Sequence, residues 1–347
     1  MLKCGIVGCG VIAPTHIEGF QAIPEVKITC LCDLELEKAK KLGEKYGIEN
    51  CCTDYRELLA SDVDIVSVCT DHASHAQIVC DAIAAGKHVI CEKSLGRTFD
   101  DLERMTAAAK THPELITAGI FQHRYEYSNI ALRKLLQENK FGKLLCVSLN
   151  FACYRSNDYY RSGSWRGTVA GEGGGILINQ AIHHLDQLRY LFGDVKRLCA
   201  LSANLTHQGV IEVEDTAVFA AEFESGLMLT VTATNSASED WRSFLTISGS
   251  EAYLEYINEK TSYIGSRDPA RKEEIAAALN PEKENKKVSG KSYYGAGHTG
   301  QLSDFVRAVL EKRQPLETML DAANSSALIL TVYKSAASGK WEEVPRY

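Results

Sequence analysis

The first third of the chain alternates short apolar runs with amphipathic stretches. Residues 3–7 (Lys-Cys-Gly-Ile-Val) predict a strand, the residues after Ala13 a helix to about Ile23, and Val26–Cys32 a second strand. The pattern continues with a helix from about Leu36 to Tyr46, a strand at Asp64–Cys69 and a helix at Ser74–Ala85 closed by Gly86. A strand at His88–Cys91, a helix near Phe99–Lys110 and the run Leu115–Ile120 follow. Such alternation predicts an α/β domain with a doubly wound parallel sheet, spanning 1–122.

Beyond residue 122 the period changes. Strand patterns at Leu144–Phe151, Thr216–Phe223, Leu227–Thr234, Phe244–Ser248 and Ala252–Tyr256 follow one another without helices. Ser225-Gly226 and Gly249-Ser250 read as hairpin turns between them. Consecutive strands imply an antiparallel sheet, so 123–347 is expected to be an α+β domain. Its last two helical patterns, Gln301–Glu311 and Asp321–Ala337, flank Arg313-Gln314-Pro315 and are able to pack back toward the first domain. The stretch from about 266 to 290, rich in Lys, Glu, Asn and Pro, reads as a mobile surface insertion.

Composition narrows the partners. The 347 residues are 45% hydrophobic, enough for two ordinary cores. A net charge of -7 and no basic cluster interleaved with aromatics argue against nucleic acid. No apolar run approaches a membrane span and no apolar leader opens the chain, so a soluble cytoplasmic protein is expected. The twelve cysteines lie largely in apolar runs and lack zinc-ligand spacing; they read as buried thiols in a reducing compartment, and no metal is expected.

The chemistry begins at Gly8-Cys9-Gly10-Val11-Ile12-Ala13, directly after the first strand. Gly8 permits a tight turn, Gly10 lets backbone approach a pyrophosphate, and Ala13 lets the helix pack on the strand. The pyrophosphate then meets the helix N-terminus, where free N–H groups favour an anion. Asp33 ends the second strand, twenty residues after Ala13, at the spacing of a carboxylate that accepts from both ribose hydroxyls. Its charge repels a 2′-phosphate, which favours NAD over NADP.

Three glycines at 173–175 feed a helix on which Asn179, His183 and Asp186 share one face. That stripe fits either a buried hydrogen-bonded network or a catalytic base, since His has its ordinary pKa near neutrality. Adjacent His183 and His184 point about 100° apart on a helix, which disfavours a mononuclear metal site. Lys93, in Cys91-Glu92-Lys93-Ser94, follows the fourth predicted strand at its carboxyl end, where open parallel sheets bind ligands. It is either a surface lysine or a group that reaches the nicotinamide.

Together the Gly8–Ala13 turn, Gly86-Lys87-His88-Val89-Ile90-Cys91-Glu92-Lys93, the triple-glycine helix and His298…Gln301…Asp304-Phe305 resemble the Gfo/Idh/MocA oxidoreductases over nearly the whole chain. The resemblance implies a Rossmann domain, a second domain with a large, open, mostly antiparallel sheet, and an active site between them. It implies NAD-dependent oxidation or reduction of a secondary alcohol on a sugar, cyclitol or sugar nucleotide. His183 would be the main acid/base, Lys93 its electrostatic partner and Asn179 a third catalytic position. Gly8, Gly10, Val11, Ile12, Asp33, Thr70, His75, Glu92 and Lys93 are the cofactor-side candidates. Ser74 as helix cap and His75 as a surface residue of the first turn is the other reading of that loop.

Two departures stand out. The usual Glu-Lys-Pro is Glu92-Lys93-Ser94, and without proline a cis peptide after Lys93 is disfavoured, which puts its placement in question. The usual Asp four residues before the histidine is Asn179, a trait similar to the branch with UDP-sugar 3-dehydrogenases; an amide carries no charge to raise the histidine pKa. The loop from Tyr154-Arg155 through Tyr159-Tyr160 and Trp165-Arg166 to Thr168 resembles that branch's sugar-binding loop. Tyr160, Trp165, Arg166 and, from motif position, Arg124, His184 and His298 are the substrate-side candidates. Other functions open to this superfamily are an NAD-dependent glycoside hydrolase working by transient oxidation and a sugar-responsive regulator. A homodimer or homotetramer is the implied assembly.

Overall fold

The computed structural model describes residues 1–280 and 297–347, and these divide into two compact units. The first holds Met1–Tyr125, the helix Gly297–Glu311 with the segment to Ala323, and Tyr347; the second holds the described residues from Glu126 and Asn324–Arg346.

In the first unit, β1 (Leu2–Val7), α1 (Ala13–Gln21), β2 (Val26–Cys32), α2 (Leu36–Tyr46), β3 (Asn50–Cys52), α3 (Tyr55–Ala60), β4 (Ile65–Val68), α4 (His72–Ala84), β5 (His88–Cys91), α5 (Phe99–Thr111) and β6 (Thr117–Gly119) alternate, all but β3 and α3 as the periodicity predicts. The sheet runs β3-β2-β1-β4-β5-β6 with every pairing parallel. The central strands β1, β4 and β5 are buried over most of their length on both faces, which is why they read as continuous apolar runs. The sequence analysis missed β3 and α3: three residues are too few for a period, and Cys51 and Cys52 are only half-buried. The order reverses between β1 and β4, so the carboxyl ends of β1, β2, β4 and β5 deliver Gly8, Asp33, Thr70 and Lys93 to one edge of the sheet.

The second unit opens with α6 (Tyr127–Gln137), β7 (Leu144–Tyr154) and α7 (Asn157–Arg161), followed by a π-helical turn at Leu177–Ala181 that runs straight into α8 (Ile182–Phe192). Then come β8 (Val195–Ala203), β9 (Thr216–Phe223), β10 (Met228–Thr234), β11 (Ser236–Gly249), β12 (Tyr253–Ile257), β13 (Lys260–Gly265) and α9 (Pro269–Ala278). The helix Gly297–Glu311 is α10, Met319–Ser338 is α11, and Glu342–Glu343 forms β14. The eight strands order β13-β12-β11-β7-β10-β9-β8-β14, antiparallel except for β7 with β10. Strands β8, β13 and β14 went unread because a sheet with one exposed face dilutes their apolar residues to alternate positions.

The insertion reading needs correction where it can be checked. Residues 269–278 form α9, started by Pro269 and capped by Asp268, and Ile275 and Leu279 are buried. Two well-placed apolar residues are enough to anchor a charged helix on a neighbour. Residues 281–290 of that segment lie outside the described residues. Among the described residues no helix is long and apolar enough to cross a membrane.

Candidate functional site

The glycine turn is built as its sequence requires. Gly8 has φ 98°, in the left-handed region, and a Cβ there would meet the Cys69 carbonyl oxygen at 2.5 Å. A Cβ on Gly10 would meet nothing within 4 Å, so its backbone borders open space. No side chain caps the N-terminus of α1. An open glycine in front of an uncapped helix start fits a pyrophosphate, and Val11 and Ile12 complete the turn.

Asp33 is tied to this turn: Oδ2 accepts from the Cys9 N–H at 2.8 Å and Oδ1 from the Glu35 N–H at 2.9 Å. These bonds orient the half-buried carboxylate at the end of β2 and leave it lone pairs for ribose hydroxyls. Asp71, not Ser74, caps α4, accepting from the Ser74 N–H at 3.2 Å. His75 is fully buried rather than a surface residue, with Nδ1 donating to the Ser94 carbonyl at 2.8 Å and Nε2 facing the Thr70 carbonyl at 3.2 Å. Burial lowers its pKa, so the ring is neutral and one nitrogen at a time can donate.

The Lys93–Ser94 peptide is cis, which corrects the expectation drawn from the missing proline. The expectation weighed an unconstrained chain, whereas Ser94 is wholly buried, its carbonyl on His75 and its hydroxyl donating to the Gly96 carbonyl at 3.1 Å.

Beneath Lys93 lies a network that sequence reasoning missed. Glu92 Oε2 accepts from the Lys93 N–H at 3.1 Å, and Glu92 Oε1 lies 2.9 Å from His16 Nε2, while His16 Nδ1 reaches Ser67 Oγ at 2.8 Å. His298, on α10, places Nε2 4.0 Å from the same carboxylate. Both members of the pair are buried. Burial alone would lower the His16 pKa, but Cys69 Sγ and the Glu92 carboxylate outweigh it and push it up to about 10. Burial would raise Glu92, yet His16, then His298 and Lys93, hold it down at about 2. Glu92 is thus an ionised anchor for the Lys93 backbone. The signal available in the sequence was a histidine among Ile17 and Phe20 on the buried side of α1.

In the second unit the three-glycine run is sterically dictated. A Cβ on Gly174 would meet Tyr333 Oη at 2.2 Å, and one on Gly175 the Glu214 carbonyl oxygen at 1.8 Å. The Glu214 carboxylate accepts from the Gly175 and Leu177 N–H groups at 2.8 and 3.1 Å and from Tyr333 at 3.0 Å, and burial pushes its pKa up to about 7. It grips the start of the π-turn, where backbone donors are otherwise unused. Asn179 sits in that turn and His183 just after it, both half-buried.

The π-turn ends before His183, so His183 and Asp186 keep their i, i+3 spacing on α8, and the partners of the polar positions differ. Asp186 is fully buried, accepts from Ser325 Oγ and pairs with Arg189 at 3.9 Å. Asn179 Nδ2 donates to Glu172 Oε1 and, at 3.3 Å, to Tyr159 Oη.

Residues 2–120 match the oxidoreductase family with an NAD-binding Rossmann fold, and residues 130–255 match the GFO/IDH/MocA C-terminal domain. The chain belongs to the Gfo/Idh/MocA oxidoreductases. Its first unit is therefore an NAD-binding domain, as the glycine turn and Asp33 predict. Among curated relatives, the chain is 27% identical to myo-inositol 2-dehydrogenase of Thermotoga maritima over 65% of this chain and 66% of that protein, just under two thirds of its length. It is 26% identical to 1,5-anhydro-D-fructose reductase of Ensifer adhaerens, covering 99% of both. The structure of the WlbA dehydrogenase from Chromobacterium violaceum, in complex with NADH and UDP-GlcNAcA, superposes with a TM-score of 0.88 at 25% identity, covering 99% of this chain and 96% of that one.

In this Gfo/Idh/MocA chain the substrate-side candidates scatter. Arg166 Nη1 donates to Tyr159 Oη at 2.7 Å and its guanidinium lies 4.5 Å from the ring centres of both Tyr159 and Trp165, so these three form one half-buried cluster with Asn179. Tyr160 turns into the core with Ile211 and Val213, its hydroxyl accepting from Asn235 Nδ2 at 2.6 Å. His184 is buried against the Phe151 ring at 4.9 Å, and Arg124 is buried in a 2.6 Å ion pair with Glu317. Tyr159 was read only as part of the substrate-side loop, and Glu172 was not singled out, although a glutamate immediately before three glycines was visible.

Proposed function

We propose that the protein transfers a hydride between NAD and a secondary alcohol of a sugar, cyclitol or sugar nucleotide. The observation that carries the reading is the difference between two adjacent histidines. His184 is buried against Phe151, whereas His183 is half-buried at the junction of the π-turn and α8, four residues after Asn179, which itself joins an aromatic and arginine cluster suited to a carbohydrate. The names of the two curated relatives and the sugar nucleotide of the WlbA complex support the same substrate class.

Gly8, Gly10, Val11, Ile12 and Asp33 hold the dinucleotide, with Thr70 and His75 on its nicotinamide side. Bound NAD supplies the hydride acceptor at its nicotinamide. In the oxidative direction His183 takes the hydroxyl proton and Lys93, set by the Glu92 anchor, places its ammonium on the developing alkoxide. Trp165 and Arg166 hold the sugar, the arginine suiting a carboxylate or phosphate on it.

The test follows NADH absorbance and released sugar together over a panel of inositols, free sugars, glycosides and UDP-sugars. NADH formed with one member, and a loss of at least ~10² in kcat for His183→Ala with NAD binding intact, is expected. An unimpaired variant overturns the base assignment, and sugar release without NADH moves the reading to a glycosidase. The assembly we propose is a homodimer or homotetramer through the outer face of the eight-stranded sheet, where exposed Leu201 pairs with Val218 and Met228 with Cys146 across neighbouring strands. Light scattering that gives a monomer refutes it.

A further inference from the structure

Asn179 is a neutral residue whose orientation is dictated by a charge. Glu172 is 1% exposed; its Oε2 accepts from the Gly167 N–H at 2.6 Å and its Oε1 from Asn179 Nδ2. A carboxylate accepts only, so the amide must turn its NH2 toward Glu172 and its carbonyl Oδ1 the other way. Tyr159 Oη, itself held by Arg166, takes up the same NH2 group at 3.3 Å.

We propose that Glu172 is a positioning residue for the reaction: it fixes Asn179 as a neutral acceptor on the His183 helix and carries, one hydrogen bond back, the negative charge that the amide lacks. The proposal rests on the dehydrogenase reading and deepens it at the same site. Charge and acceptor, which one aspartate could combine, are here divided between two residues seven positions apart. A simple loss of the acid at position 179 would leave no reason for a buried carboxylate to face it, since burying that charge is costly without partners.

The division makes a reversal test possible. Tyr159, Tyr160 and Tyr333 face Glu172, and burial pushes all three phenols up, so they stay neutral across the usable range. Arg166 reaches the cluster through Tyr159, and Glu214, near 7, reaches it through Tyr333; both are common to every variant, so the reading is the difference between variants.

Asn179→Asp sets two carboxylates against each other. It is expected to lose about tenfold in kcat at alkaline pH, with activity regained on acidification as the pair takes up one proton. Glu172→Gln loses one of the two acceptor contacts and lowers kcat with little change in KM. The double variant Glu172→Gln/Asn179→Asp restores an amide facing a carboxylate and is expected within about threefold of wild type, with Tm recovering in parallel. Additive losses in the double variant, or Asn179→Asp equal to wild type at every pH, overturn the proposal. The Tm cycle needs no substrate, so a wild type inactive on the whole panel overturns the dehydrogenase reading while coupling between Glu172 and Asn179 is still measured.

Discussion

Replacing His16 by leucine tests the buried anchor under Lys93. The substitution removes the cation and leaves the Glu92 carboxylate buried with its strongest partner gone. Breaking a buried pair in this way costs roughly 3–5 kcal/mol. The pH dependence separates this cause from a mere packing defect. With its pKa raised from 6.5 to about 10, His16 contributes stability that is fully present below 6.5 and lost as pH rises through 10. Between those values the native state holds one proton more than the unfolded chain, so wild-type stability from this group falls by about 1.4 kcal/mol per pH unit. Glu92, lowered from 4.5 to about 2, contributes above 4.5 and loses that contribution as pH falls through 2. Both shifts contain the His16–Glu92 pair, with Cys69 adding to the rise at His16, and the pair is strongest between about 4.5 and 6.5. Urea unfolding followed by circular dichroism should therefore show the deficit of His16→Leu shrinking by about 2.3 kcal/mol over the two pH units above 6.5. A deficit below about 1 kcal/mol near pH 6, or one that is flat with pH, refutes the ion pair.

Other consequences are simpler to read. Asp33→Ala should narrow the preference for NAD over NADP, measured as the ratio of their dissociation constants; an unchanged ratio removes Asp33 from the ribose. Gly175→Ala puts a methyl 1.8 Å from the Glu214 carbonyl oxygen and, since backbone must move, should cost several kcal/mol, roughly 2–4, and abolish turnover. Normal Tm and activity in that variant would show that the π-turn start is not fixed by this contact. Gly8→Ala meets both a φ of 98° and a carbonyl at 2.5 Å, so it should weaken NAD binding and lower Tm together. Loss of NAD binding at unchanged Tm would contradict the steric account.

What the sequence determined by itself is whatever rests on local rules. The alternation of apolar runs and amphipathic helices specified the parallel sheet, because strand and helix periods are properties of adjacent residues. Gly8, Gly10, Ala13 and Asp33 were legible for the same reason: a tight turn, a close approach and a strand end have steric requirements met within one βαβ unit. Strands β8 and β13 and helix α9 were less legible, since half-exposed elements carry a weaker apolar pattern. Only the tertiary structure decided which polar residues meet. His16, Glu92 and His298 come from three separate elements, and nothing near His16 in sequence announces a carboxylate 76 positions away. The partners of the helix that follows the three glycines are equally non-local: Asp186 meets Ser325, 139 positions on, and Asn179 meets Glu172 back across the glycine run. Burial is a property of the assembled chain, and it is burial that forces a carboxylate to find its partners.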